Sequence, residues 1–164
     1  MPTFKGTQVK LYGKPLALGQ NAPIVTLVAN DLSEITVGGA SNVYQIISTM
    51  PSIDTGVCQT QARVFNQKAS SLANTKVYCI SADLPFALSR FCGAEGIKDV
   101  SALSDFRDKL FGKVYGLLLQ DSPLQGLLTR AVLVINQEGK IIYQEICDEI
   151  TSEPDYDKAL SIIK

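Results

Sequence analysis

Apolar residues along this chain fall into short runs of strand length and a few stripes at helical spacing. Phe4, Val9, Leu11 and Leu16 alternate with polar residues around Gly6 and Gly13, which predicts a small hairpin-like arm over residues 3–18 at the edge of a larger sheet. Val25–Val28, Ile35–Val37 and Val43–Ile47 predict three strands separated by Asn30-Asp31 and Gly38-Gly39, followed by a loop over Ser48–Thr55. From there the period changes. Cys58, Ala62, Phe65, Ala69 and Leu72, at spacings of four, three, four and three, trace one face of a helix with Cys58 in its first turn.

Val77–Ile80 is a short apolar strand, and Asp83-Leu84-Pro85 supplies a capping side chain and an early proline for a second helix that ends near Cys92 and Gly93. A helix over Ser104–Phe111, strands over Ala131–Ile135 and Ile141–Ile146, and a last helix from about Pro154 to Ile163 complete the prediction. Strands alternating with helices, closed by a hairpin across Gln137-Glu138-Gly139, indicate an α/β fold with a mixed central sheet flanked by helices. There is no internal repeat, low-complexity tract or linker, so a single domain spanning residues 1–164 is expected.

Composition narrows the function. Fifteen basic residues against 16 acidic ones give a net charge of −1, which leaves no electrostatic basis for binding nucleic acid or an anionic membrane surface. No signal-peptide pattern follows Met1, and no apolar run approaches the roughly 20 residues of a membrane span, so a soluble, cytoplasmic protein is expected. In that compartment the four cysteines are reduced thiols. The chain has no histidine, which excludes Ser-His-Asp and Cys-His catalysis and removes the usual imidazole ligand of zinc or haem.

Candidate chemistry concentrates in Pro51-Ser52-Ile53-Asp54-Thr55-Gly56-Val57-Cys58. A thiol at a helix N-terminus faces unpaired N–H groups and the positive end of the helix dipole, which favour the nucleophilic thiolate. Without histidine, further stabilisation must come from a cation or from hydrogen bonds. Thr55 is placed to donate its hydroxyl to the sulfur or to a bound oxygen, and Pro51 to shield the sulfur from water. Of the four arginines, Arg130 immediately precedes the strand Ala131–Ile135, and a strand end is a rigid mount for a charge.

Pro51, Thr55 and Cys58 match the PxxxTxxC pattern of the peroxiredoxins. The longer segments PSIDTGVC, ISADLPFALSRFCGAEG and TSEPDYDKAL closely resemble the bacterial thiol peroxidase branch of that family, from the N-terminal arm to the last helix. The resemblance implies a thioredoxin-like fold and the activity of an atypical two-cysteine peroxiredoxin. Cys58 then matches the peroxidatic nucleophile and Cys92 the resolving cysteine of the same chain. Arg130 and Thr55 match the activating residues, with Pro51 and Val57 lining the substrate pocket. The substrates implied are hydrogen peroxide and organic hydroperoxides, the reductant is thioredoxin, the assembly is a homodimer, and neither cofactor nor metal is required. Both thiols lie on helices, so local unwinding is expected to accompany disulfide formation.

Many peroxiredoxins carry an acidic residue three positions after the peroxidatic cysteine, where this chain has Gln61. Cys79 and Cys147 lie in apolar strand contexts and are expected to be core thiols. Asp148, Glu149, Glu153 and Asp155 read as capping and solvated groups rather than metal ligands. The absence of GxGxxG, P-loop and CxxC patterns removes support for nucleotide binding and for a thioredoxin-type reductase. The competing functional class is a peroxide-responsive sensor or binding module that forms the same disulfide without turnover.

Overall fold

The computed structural model describes residues 1–163. In chain order the elements are β1 (Thr3–Phe4), β2 (Thr7–Gln8), β3 (Val25–Ala29), β4 (Glu34–Val37), β5 (Tyr44–Thr49), α1 (Gly56–Ala69), β6 (Thr75–Ser81), α2 (Pro85–Glu95), β7 (Ser101–Ser104), α3 (Leu110–Val114), β8 (Ala131–Ile135), β9 (Ile141–Ile146) and α4 (Tyr156–Ser161). Seven strands form one mixed sheet in the order β4-β3-β7-β6-β5-β8-β9. Its centre, β5, β6 and β7, is parallel, and both flanks are antiparallel. This is the α/β, thioredoxin-like arrangement.

Val77–Ile80 of β6 and the whole of β8 read as unbroken apolar runs because both sheet faces are covered there. Alternate side chains enter two cores. Ile46, Val77, Cys79, Val132 and Val134 pack beneath the helices with Ala62, Phe65, Leu88 and Phe91. Ile47, Ile80, Leu133 and Ile135 pack on the opposite face with Phe111, Tyr115 and Leu117.

Several predicted boundaries change for physical reasons. Ser48 and Thr49 belong to β5 rather than to the following loop, because they pair with Cys79 and Ile80 on one side and with Val132 and Ala131 on the other. The helix predicted over Ser104–Phe111 is not formed. Ser101–Ser104 is instead a strand inserted between β3 and β6, and the helical turn begins at Leu110. Two partners create that strand, and the four-residue sequence carries no strong local period of its own. Asp105 then accepts hydrogen bonds from the N–H groups of Phe111 (3.2 Å) and Gly112 (2.8 Å), which fixes the start of α3.

The second helix passes through Gly93 and stops at Gly96, whose φ of 65° provides the left-handed C-cap. The last helix is shorter than predicted, with Asp155 as N-cap accepting from the N–H of Lys158. In the arm, only Thr3–Gln8 forms a hairpin. Lys5 and Gly6 turn it, both with positive φ. It is a separate two-stranded sheet and does not extend the edge of the large one.

Candidate active site

The site lies where β5 and β6 end and β8 begins. Antiparallel register pairs Thr49 with Ala131, so Arg130 lies beside the start of the loop that carries Pro51 and Thr55 into α1. Cys58 occupies the third position of that helix and is 0% exposed. Arg130, at 2% exposure, is equally enclosed. A buried charge of this kind requires dedicated partners, and the guanidinium finds three. Its Nε donates to the Ile150 carbonyl (2.6 Å), Nη1 to Gln61 Oε1 (2.7 Å) and Nη2 to Cys58 Sγ (3.3 Å).

Gln61 answers the question its position raised. Its carbonyl orients Arg130, while its amide nitrogen donates to Ser48 Oγ (2.5 Å) and to the Thr49 carbonyl (3.3 Å). A neutral amide thus does the work of a carboxylate without cancelling the charge offered to the sulfur. Its signal in the sequence was a polar residue one turn from Cys58 on the buried stripe of the helix. Ile150 carried no such signal, because it contributes a backbone carbonyl.

Thr55 is the N-cap of α1, but its side chain makes no cap hydrogen bond. Its hydroxyl donates to the Ser52 carbonyl (3.1 Å) rather than to the sulfur as expected. The N–H groups of the first turn, which no i−4 carbonyl reaches, are therefore left without a side-chain cap. Pro51 is buried and Val57 half-buried beside them. The loop is held from below by Asp83, whose carboxylate accepts from Ser52 Oγ, the Ile53 N–H and Ser81 Oγ, each at 2.7 Å. Asp83 thereby joins the loop before Cys58 to the start of the helix that carries Cys92. Arg90 on that helix also pairs with Asp54 at the surface.

All four cysteines are buried, free thiols. Burial pushes the Cys79 thiol up to about 12, with only a Ser48 hydrogen bond opposing it. Burial, reinforced by the Glu145 carboxylate, does the same for Cys147, also to about 12. Burial likewise raises Cys92. These three are held protonated at neutral pH, whereas Cys58 is the thiol that a guanidinium addresses through a hydrogen bond. Cys92 sits in the last turn of α2 and packs into the same apolar core as Cys58 and Cys79.

A cysteine at a helix N-terminus on a thioredoxin-like sheet, faced by a buried arginine, defines a thiol-based redox enzyme. Comparison with known proteins agrees. Residues 17–160 match the Redoxin family model. The thiol peroxidase of Campylobacter jejuni is 50% identical over 155 residues, covering 94% of this chain and 87% of the relative. That of Bacillus subtilis is 44% identical over 162 residues, covering 99% and 95%. The crystal structure of a peroxiredoxin-like protein from Aquifex aeolicus superposes with a TM-score of 0.95 at 42% identity, covering 98% of this chain and 94% of that one. The chain belongs to the redoxin family, among the bacterial thiol peroxidases, and is a peroxidase.

Proposed function

We propose that the chain, as one thioredoxin-like domain with its N-terminal arm, reduces hydrogen peroxide and organic hydroperoxides through Cys58 and Cys92. We place it in the cytoplasm, as a homodimer, with thioredoxin as reductant and without cofactor, metal, nucleic acid or membrane. Among the described residues no helix is long and apolar enough to cross a membrane. The observation that carries the reading is the hydrogen bond from Arg130 Nη2 to Cys58 Sγ at 3.3 Å in a water-excluded setting.

The Cys58 thiolate attacks one oxygen of ROOH; the S–O bond forms as the O–O bond breaks, and the electron pair leaves on RO⁻, which takes a proton to give ROH. Negative charge moves from sulfur to the departing oxygen. The guanidinium and the uncapped N–H groups of the first turn are already oriented for it, so little reorganisation accompanies the transition state. With its proton committed to Ser52, Thr55 retains oxygen lone pairs that accept the hydroperoxide O–H and orient it. Pro51 and Val57 form the wall of the pocket.

Cys58 sulfenic acid is then condensed by the Cys92 thiol into a disulfide with loss of water, before a second peroxide takes the sulfur to sulfinic acid. Both thiols are buried within helices, and a disulfide needs Cα atoms within about 7 Å and converging side chains. Unwinding of the first turn of α1 and of α2 around Cys92 supplies that approach and releases Cys92 from the burial that keeps it protonated. The thioredoxin dithiol reduces the disulfide and is itself oxidised.

Peptide mapping after one equivalent of hydroperoxide tests the scheme. A Cys58–Cys92 linkage within one chain is expected, together with many turnovers per chain when thioredoxin is supplied. Pairing of Cys58 with Cys79 or Cys147 overturns the resolving role of Cys92. Stoichiometric oxidation without turnover favours a sensor, and unchanged thiols overturn the peroxidatic role of Cys58.

A further inference from the structure

The N-terminal hairpin reaches the active site through one peptide. Beyond β9, which ends at Ile146, one further hydrogen bond, from the Cys147 N–H to the Arg130 carbonyl (3.0 Å), ties the chain to the large sheet, but that ladder stops short of Ile150, which must present its carbonyl to Arg130 Nε. Thr3 supplies the missing ladder. It forms a parallel bridge with Glu149: the Thr3 N–H donates to the Asp148 carbonyl (2.7 Å), and the Ile150 N–H donates to the Thr3 carbonyl (2.9 Å). The Glu149 carboxylate then closes on the hairpin turn, accepting from Thr3 Oγ1 (2.5 Å), the Lys5 N–H (2.8 Å), the Gly6 N–H (3.1 Å) and Thr151 Oγ1 (2.9 Å). The Ile150 side chain is buried against Val9, Leu11 and Leu119, so the peptide is also held from its apolar side.

We propose that Glu149, gripping the hairpin turn at Thr3, Lys5 and Gly6, is a positioning residue of the peroxidatic centre. It fixes the Ile150 carbonyl and through it the orientation of Arg130 toward Cys58. The inference rests on the roles given above to Cys58 and Arg130. A guanidinium held at Nε and Nη1 has its plane defined, so that Nη2 points at the sulfur. Released at Nε, it pivots about the Gln61 contact, and a displacement of about 1 Å at a reacting centre costs up to about 10²-fold in rate. The hairpin, remote in sequence and outside the main sheet, is thus coupled to the chemistry by a chain of four residues: Thr3, Glu149, Ile150 and Arg130.

The test is a double-mutant cycle on the second-order rate of Cys58 oxidation, followed by rapid quench and mass spectrometry in the full-length protein. Glu149→Ala is expected to lower that rate about tenfold, leaving the subsequent formation of the Cys58–Cys92 disulfide unchanged. Glu149→Gln, which keeps an acceptor oxygen for the turn, recovers most of the loss. In an Arg130→Gln background, Glu149→Ala has no further effect. Thr3→Val, which removes the hydroxyl donor and keeps the backbone bridge, gives a smaller loss of the same kind and serves if Glu149→Ala does not fold. The proposal is overturned if these variants lower thermal stability but not the oxidation rate, or if their losses add fully to that of Arg130→Gln. Failure of the underlying roles has a different signature: Cys58→Ser would still consume peroxide, or Arg130→Gln alone would leave the rate unchanged.

Discussion

Four buried thiols share this fold, and the difference between Cys58 and the rest is one hydrogen bond from a guanidinium that is itself held by a carbonyl on each of two other groups. Arg130→Gln is therefore expected to slow peroxide attack by about 10²–10³-fold, the loss typical of one preorganised donor to developing negative charge. Stopped-quench oxidation of Cys58 checks it. Asp105 makes a separate prediction about stability. Burial raises its carboxyl from 3.8 to about 6, against the two N–H groups it accepts. The native state then holds the proton more tightly than the unfolded chain, so this contribution is present below pH 3.8 and is lost as pH rises through about 6. The loss is on the order of 2–3 kcal/mol at 1.36 kcal/mol per pKa unit. Urea melts of the wild type and Asp105→Asn across that window should differ in pH slope, the variant being flatter. Equal slopes would refute the assignment.

At the scale of elements, α2 carries its own weakness. Gly93 is exposed in the helix interior, directly after Cys92, and a Cβ built there meets nothing within 4 Å. Gly in such a position costs a helix about 0.5–1 kcal/mol relative to Ala. Gly93→Ala is thus expected to favour the closed helix, slow disulfide formation by up to about fivefold and increase sulfinic acid at Cys58 under excess peroxide. Intact-mass analysis reads both effects. The Arg63–Glu95 pair, bidentate and partly exposed, ties the end of α2 to α1. Arg63→Gln should act in the opposite direction and more weakly, since an exposed pair contributes about 0–1 kcal/mol. An unchanged disulfide rate in Gly93→Ala would show that opening of α2 does not limit resolution.

For the whole molecule, the two cores respond differently to oxidation. Cys58, Cys92, α1 and α2 all belong to the core on one sheet face, whereas the other face is closed by Phe111, Tyr115 and Leu117 and contains neither cysteine. Hydrogen exchange of the disulfide form should therefore show lost protection in the first turn of α1 and across α2, with β5, β6 and β8 still protected as the most buried unit. Loss of protection throughout the sheet would contradict a local opening.

Periodicity and chemical type made much of this legible in advance. The helical stripe placed Cys58 in a first turn, continuous apolar runs marked strands buried on both faces, Pro51, Thr55 and Arg130 stood out only by their joint placement around that thiol, and Cys92 was singled out by the resemblance to the peroxiredoxins. What the sequence determined by itself was thus the local repertoire and the reactive groups. Pairing decided the rest. Ser101–Ser104 is a strand only because β3 and β6 flank it, and Arg130 meets Cys58 only because Thr49 and Ala131 are in register. Thr55 donates its hydroxyl to the Ser52 carbonyl because the turn of the loop brings that carbonyl, three residues back, within 3.1 Å. Ile150 enters the site through a backbone oxygen that every residue type shares. Such contacts join positions far apart in the chain, and their energies appear only once loop closure has brought both partners together.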